Sequence, residues 1–200
     1  MKKFDEAYWQ ERWENQATGW DIGYPSTPLI SYFENLQGRI TADAKILIPG
    51  SGNAYEGEAL LKMGFENTYV LDIAEIALKN VKTRFPEVPE DRLIHGDFFD
   101  HSGQYDFIVE QTFFCALDPS LREKYAVKML ELLKPGGILM GVLFDDKLFN
   151  DHPPFGGNKE AYIPHFKDKF EILHFERCHN SIKPRAGREL FIELRKPAGV

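Results

Sequence analysis

The chain has 200 residues, 43% of them hydrophobic, and is rich in aromatic side chains, with 16 Phe, 8 Tyr and 3 Trp. This length and composition exclude a disordered chain and suit one globular domain spanning residues 1–200. The net charge of −7 disfavours nucleic acid or anionic lipid as a partner, because phosphate neutralisation needs clustered Lys and Arg.

Targeting and redox features favour a cytoplasmic protein. The opening stretch MKKFDEAYWQERWENQ lacks the apolar region of a secretory signal, and the run ILMGVLF is too short to cross a bilayer. Cys115 and Cys178 show neither metal-ligand nor CxxC spacing, which suits a reducing compartment. We therefore expect a cytoplasmic protein without a metal or membrane partner, and a monomer at this size.

After the aromatic N-terminal segment, predicted strands and helices alternate along the chain. The strands are KILIP, NTYVLD, DRLIHGD, YDFIVEQ and ILMGVLF; the helices are AYEGEALLKMG, IAEIALKNVKTRF and a segment from Asp118 to a stop at residues 135–137. The last two segments, KFEILHFERC and RELFIELRK, are joined too closely for a crossover helix and predict an antiparallel pair. This pattern predicts an open, mostly parallel α/β sheet with its ligand at the carboxyl ends of the strands.

The first strand runs into a glycine turn in ILIPGSGNAYEG, a pattern typical of nucleotide-binding proteins. A P-loop requires Lys where this chain has Glu58, so that interpretation fails. A dinucleotide fold places a third glycine at the position of Tyr55, and the neighbouring Glu56 would repel a pyrophosphate. A cofactor that carries adenosine without phosphates fits better, and S-adenosylmethionine is the common one.

Two acidic positions follow the next strands. Asp72 ends the second strand about 20 residues after the turn, the spacing at which an acid accepts from ribose hydroxyls. The alternative is a surface residue that caps the following helix, but the strand end, the helix start and the spacing together favour the ribose role. Asp97 and Phe98, in HGDFFD, could contact an adenine amino group and ring, or form only a polar turn beside buried phenylalanines.

Several segments resemble those of a known enzyme family. ILIPGSG, VLDIAEIAL, GDFF, YDFIVEQTFFCAL and LLKPGG, in this order, resemble a class I methyltransferase dependent on S-adenosylmethionine. YWQERWENQATGWDIGYPSTPL and QTFFCALDPSLREKY are similar to the thiopurine S-methyltransferase family, closest to its halide/thiol methyltransferase branch. The resemblance covers about residues 8–196.

The resemblance implies a Rossmann-like, doubly wound sheet of seven strands in the order 3-2-1-4-5-7-6, with the last strand antiparallel. It also implies that residues 1–30 form a cofactor-covering segment whose tryptophans close over the cofactor. Gln111 matches a position that is often Tyr in the plant branch. The implied cofactor-binding residues are Trp9, Trp13, Trp20, Gly50, Ser51, Gly52, Asp72, Ile73, Asp97, Phe98 and Gln111.

The implied reaction moves a methyl group from S-adenosylmethionine to a small thiol, thiopurine, halide or thiocyanate by in-line displacement. Such nucleophiles need little help from a general base, and no catalytic residue is predicted; His152 is the best of the scattered histidines. Phe113, Phe114, Phe155 and Arg188 are predicted near the acceptor, and DHPPFGGN as a second cover. Two alternatives stay open: a nicotinamide-dependent oxidoreductase, and a non-catalytic adenosylmethionine-binding sensor.

Overall fold

The computed structural model of the chain describes residues 4–199. Its six α-helices within this range are α1 (Glu6–Glu14), α2 (Thr27–Leu36), α3 (Tyr55–Lys62), α4 (Glu75–Arg84), α5 (Arg122–Leu132) and α6 (Lys159–Phe166). Its strands are β1 (Ile46–Pro49), β2 (Thr68–Asp72), β3 (Leu93–His95), β4 (Tyr105–Gln111), β5 (Leu133–Phe144), β6 (Glu171–Arg177) and β7 (Glu189–Arg195). None of the helices in residues 4–199 has the length and apolar character needed to cross a bilayer.

The strands form one sheet in the order β3-β2-β1-β4-β5-β7-β6. Neighbours from β3 to β5 pair in parallel, whereas β7 pairs antiparallel with both β5 and β6. The predicted order and the antiparallel last strand are therefore confirmed. Antiparallel pairing suits the β6–β7 connection because it needs no crossover helix.

Helices cover both faces of the sheet, because successive strand residues point to opposite sides. Leu47 of β1 belongs to a core with Tyr125 of α5 and Phe166 of α6. Its neighbour Ile48 belongs to a second core with Phe33 of α2, alongside residues of α3 and α4. The result is a three-layer helix–sheet–helix arrangement.

The structure corrects several predicted boundaries. Helices α2 and α6 were not predicted from the sequence. A 3₁₀ turn, Pro119–Leu121, precedes α5, so the helix itself starts later than Asp118. The predicted stop at residues 135–137 is wrong: α5 ends at Leu132 and these residues belong to β5, where the register against β4 shifts between Tyr105 and Phe107.

The strand order reverses between β1 and β4. Connections leave β1 toward one edge of the sheet and return through β4 toward the other, so a crevice opens outside their carboxyl ends. Helix α3 packs close to the sheet at Gly57, where an added Cβ would lie 2.7 Å from Val70. Gly57 thus supplies the close helix–strand packing that a dinucleotide fold assigns to a glycine at the position of Tyr55.

Candidate active site

A cavity of about 620 Å³ lies at this crevice. Its wall includes residues just past the ends of β1, β2 and β4, together with the N-terminal segment and the 144–154 and 184–188 stretches. Its volume lies in the ordinary range of small-molecule sites. One cavity therefore joins the cofactor side predicted at the glycine turn with the segments predicted to surround the acceptor.

The glycine turn is shaped by backbone conformations that other residues rarely adopt. Gly50 and Gly52 have φ of +59° and +52°, in the left-handed region where a Cβ is strained. A Cβ on Gly50 would lie 2.7 Å from Cγ of Phe113. The turn therefore lets the backbone and the Phe113 ring approach each other and leaves the cavity open above β1.

Asp72 fixes the glycine turn to the end of β2. Its side chain is 7% exposed; Oδ2 accepts from the amide of Gly52 at 2.7 Å and Oδ1 from the amide of Ala74 at 2.8 Å. Burial raises the pKa of Asp72, and these backbone hydrogen bonds oppose the rise. Asp72 lines the cavity and also stabilises the turn into α4, while its role on the ribose hydroxyls stays a prediction.

The three tryptophans form one aromatic cluster on the cavity wall. Trp20 lies edge-on to Trp9 and Trp13, with ring centroids 5.5 and 5.8 Å away. Trp13 is buried against Ala74 and Ala77 at the start of α4. The N-terminal segment is thus packed beside Asp72, where aromatic faces can stabilise a nearby cation.

Most of the residues predicted from the sequence meet at this cavity. Those in its wall are Trp9, Trp13, Trp20, Gly50, Ser51, Gly52, Asp72, Ile73, Gln111, Phe113, His152 and Arg188. Four others lie elsewhere. Asp97 is exposed and accepts from the amide of Phe99 at 2.8 Å, while Phe98, Phe114 and Phe155 are buried in the protein interior.

Two of these interior rings lie close to parts of the site. Phe98 packs on Phe113, whose ring does line the cavity, at a centroid distance of 5.1 Å. The Phe155 ring lies 5.6 Å from that of Phe4, and the adjacent Pro153 and Pro154 contribute to the cavity wall instead. The adenine role of Asp97 and Phe98, and the acceptor role of Phe155, stay predictions.

The cavity wall also contains residues that the sequence alone did not indicate. Arg185, 7% exposed, lies in the 3₁₀ turn Lys183–Arg185 and lines the cavity. Its Nη2 donates to the carbonyl of Trp20 at 3.1 Å, and its guanidinium lies 5.4 Å from the Phe144 ring centre. Arg188, which was predicted, instead donates through Nε to Asp146.

Cys115 also lies in the cavity wall and is buried. Its Sγ donates to the carbonyl of Thr112 at 3.2 Å. Burial raises the pKa of the Cys115 thiol to about 12, with the negative charge of Glu110 acting in the same direction. The thiol therefore stays protonated near neutral pH and is a poor nucleophile, since the thiolate is the reactive form.

The residues fit a cofactor built from adenosine and methionine. Asp72 offers a carboxylate for ribose hydroxyls, and the glycine turn leaves room for close approach. Within residues 4–199, the buried Oγ of Ser51 and Oε1 of Gln111 find no hydrogen-bond partner. Both residues line the cavity, so both atoms are placed to be satisfied by a ligand.

The fold and this site define an S-adenosylmethionine-dependent methyltransferase. The family model described as thiopurine S-methyltransferase (TPMT) matches residues 4–193, and the chain belongs to that family. This confirms the family and the cofactor suggested by the sequence.

Individual relatives agree with this assignment. The chain is 30% identical to "Probable thiol methyltransferase 2" of Arabidopsis thaliana, over 94% of this chain and 84% of the relative. It is 25% identical to the thiopurine S-methyltransferase of Acinetobacter baylyi, over 82% and 85%. The fold matches a Burkholderia thailandensis 1,6-didemethyltoxoflavin-N1-methyltransferase with a TM-score of 0.75, at 16% identity over 96% and 87% of the two chains.

When bound, S-adenosylmethionine would supply a methyl group on a positively charged sulfur, and this sulfur is the leaving group of the in-line displacement. The protein's own contribution is to orient the two reactants and exclude water. The glycine turn and Asp72 form the wall on one side of the cavity, and the Trp9–Trp13–Trp20 cluster forms the wall next to them. The stretch 148–154 and Arg185 bound the same space.

Proposed function

We propose that this methyltransferase acts on a small, anionic sulfur or halide nucleophile, such as a thiolate, hydrosulfide, thiocyanate or iodide. The observation that carries the proposal is a buried arginine, Arg185, in the wall of the cavity. Relatives named for thiols, thiocyanate and thiopurines support the same class of acceptor.

Arg185 is suited to attract an anion. Its Nη1 has no hydrogen-bond partner within residues 4–199, although the Oε1 of Glu189 lies 3.6 Å away. Burial raises the pKa of Glu189, while the positive charge of Arg185 opposes the rise. A guanidinium with an unused donor in a cavity of low polarity is a strong site for a charge-assisted hydrogen bond.

Two side chains at the cavity that could act as a base, His152 and Cys115, are engaged otherwise, which agrees with an acceptor that is already an anion. The Nδ1 of His152 lies 2.9 Å from the carbonyl of Pro153, and its ring centre is 4.1 Å from that of Phe149. The Cys115 thiol is held protonated by its burial. Thiolates and halides react without proton removal, so orientation by the cavity wall is sufficient.

The remaining predictions belong to the same proposal. Residues 1–200 form one methyltransferase domain, and residues 1–30 form a cover over the cofactor; residues 1–3 and 200 of these ranges lie outside the described residues. The protein acts in the cytoplasm as a monomer, with a small-molecule acceptor and without nucleic acid as a partner; its acidic net charge supports the last point.

The function is tested by S-adenosylhomocysteine release from purified protein and S-adenosylmethionine. The acceptors are hydrosulfide, thiophenol, a thiopurine, iodide and thiocyanate, with a phenol and an amine as controls. We expect turnover with sulfur or halide nucleophiles and none with the controls. Cofactor binding without turnover on any sulfur or halide nucleophile would contradict the proposal.

Replacing Arg185 by Gln tests the acceptor site directly. We expect the KM for the preferred anionic acceptor to rise roughly tenfold, because one charge-assisted hydrogen bond is lost. Binding of S-adenosylhomocysteine, followed by calorimetry, should change much less. The matched control is Arg177→Gln on the same hairpin, since Arg177 is exposed and pairs with Asp145 at 3.0 Å outside the cavity wall. An unchanged KM in folded Arg185→Gln would contradict the role of Arg185.

A further inference from the structure

Glu110 is a fully buried acid on β4, next to the cavity but outside its wall. Its Oε1 accepts from the amides of Phe113 and Phe114 at 2.8 and 2.9 Å, and its Oε2 accepts from the hydroxyl of Tyr125 at 2.5 Å. Two consecutive backbone amides therefore converge on one carboxylate oxygen. Such charge-assisted bonds are about twice as strong as neutral ones.

The segment held in this way, residues 111–117, is part of the cavity wall. Thr112 has φ of +57°, an uncommon conformation that turns the chain back toward Glu110. Gln111, Phe113 and Cys115 then line the cavity. Because Phe113 also packs against the glycine turn, the position of this segment affects the cofactor side directly.

Glu110 itself has little freedom to move. Gly141 of β5 pairs with it across the sheet, and a Cβ on Gly141 would lie 2.8 Å from the Glu110 Cα. On the other side its carboxylate is held by Tyr125 of α5, a fully buried side chain. The sheet and α5 therefore hold Glu110 in place, and Glu110 in turn holds the 111–117 segment.

We propose that Glu110 is a positioning residue, whose ionised carboxylate holds residues 111–117 in the shape that binds the cofactor. It acts through the amides of Phe113 and Phe114 and does not touch the ligand itself. The proposal depends on the cofactor assignment alone, and it is independent of which acceptor is used.

The ionisation of Glu110 gives the proposal a pH signature. Burial raises the pKa of Glu110 to about 7, while the hydrogen bonds from Tyr125, Phe114 and Phe113 oppose the rise. The titratable groups that face it are Tyr125 of α5 and Cys115 of the segment. Protonation near neutral pH would weaken both amide bonds, so cofactor affinity should fall as the pH drops through this range.

Stability should respond in the opposite direction. The ordinary pKa of 4.5 lies below the folded value of about 7, so between these values the folded state binds a proton that the unfolded state does not. Stability contributed by this group is therefore lost as the pH rises toward the folded pKa. If Glu110 had a purely structural role, cofactor affinity would have no reason to fall at low pH while the stability of the folded protein increases.

The test is calorimetric binding of S-adenosylhomocysteine from pH 6 to pH 8 with Glu110→Gln, alongside melting temperatures of the free protein. At pH 8 we expect the variant to bind about tenfold more weakly than the native protein, because two charge-assisted bonds become neutral ones. Between pH 8 and pH 6 the native affinity should fall toward that of the variant. The melting temperature of the native protein, relative to the variant, should be higher at pH 6. Equal affinities at pH 8, or identical pH profiles, would overturn the proposal.

A second variant keeps the test decisive if Glu110→Gln does not fold. Tyr125→Phe removes a hydrogen bond that lowers the pKa of Glu110, so the step in affinity should move to higher pH. The matched control is Tyr32→Phe, which removes a similar phenol–carboxylate bond to Glu193, 2.8 Å long, on another part of the sheet. The control should leave both affinity and its pH profile unchanged. A Tyr125→Phe profile that coincides with the native one would contradict the proposal.

Discussion

Asp72→Asn is expected to weaken binding of S-adenosylhomocysteine roughly 100-fold while the protein stays folded. Hydrogen bonds to a charged group contribute about 1.5–3 kcal/mol each, and two ribose hydroxyls would lose a carboxylate acceptor. Asparagine retains one side-chain oxygen for the amide of Ala74, which Asp72 binds at 2.8 Å, but its NH2 group then faces the amide of Gly52 and cannot accept from it. The change therefore preserves the start of α4 and removes the acceptor offered to the ribose and to the glycine turn. Calorimetry and thermal unfolding measure the two effects.

Two further variants serve as comparisons for this prediction. Asp72→Ala also leaves the amides of Gly52 and Ala74 without their acceptor, so we expect an additional loss of about 2 kcal/mol in stability. Asp118→Asn makes the same chemical change at an acid that accepts from the amide of Ser120 at 2.9 Å, away from the cavity. It should leave binding unaffected. Normal binding by folded Asp72→Asn would show that Asp72 serves only the turn into α4.

Local patterns were sufficient to predict most of the sheet. Apolar runs at Ile46–Pro49 and at residues 107–109 within Tyr105–Gln111 indicate strands buried on both faces. The order of the strands came from the resemblance to a family, since the pairing partners of a strand are set by tertiary contacts. The boundary at residues 135–137 was missed because Pro and Gly usually end an element, whereas here they lie at an irregularity of β5.

The cofactor side of the site was more predictable than the acceptor side. A glycine turn after β1 and an acid after β2 are short-range signals, and both segments meet at one cavity. Arg185 gave no such signal, because its place in the wall depends on how the β6–β7 connection returns to Trp20. Glu110 did give a signal in the sequence, because an acid that is buried inside an apolar strand must find hydrogen-bond partners.

Gly50→Ala should abolish cofactor binding and lower the melting temperature by about 4–20 °C. A left-handed alanine costs about 1–2 kcal/mol, and overpacking adds about 1–3 kcal/mol. Each kcal/mol corresponds to about 2–4 °C in a chain of this size. The new methyl group would lie 2.7 Å from Cγ of Phe113 and 3.0 Å from its Cβ. Phe113 cannot yield freely, because its amide is bound to Glu110 at 2.8 Å.

Gly64→Ala is the matched control for the strain alone. Gly64 has φ of +91°, but a Cβ added there would meet nothing within 4 Å, so this variant carries the conformational cost without the collision. We expect a drop of about 2–8 °C and native affinity for S-adenosylhomocysteine. If Gly50→Ala instead behaved like Gly64→Ala in both measurements, Phe113 would be free to move. The glycine turn and the 111–117 segment would then be independent walls, whereas their contact in the structure requires that a change in one displaces the other.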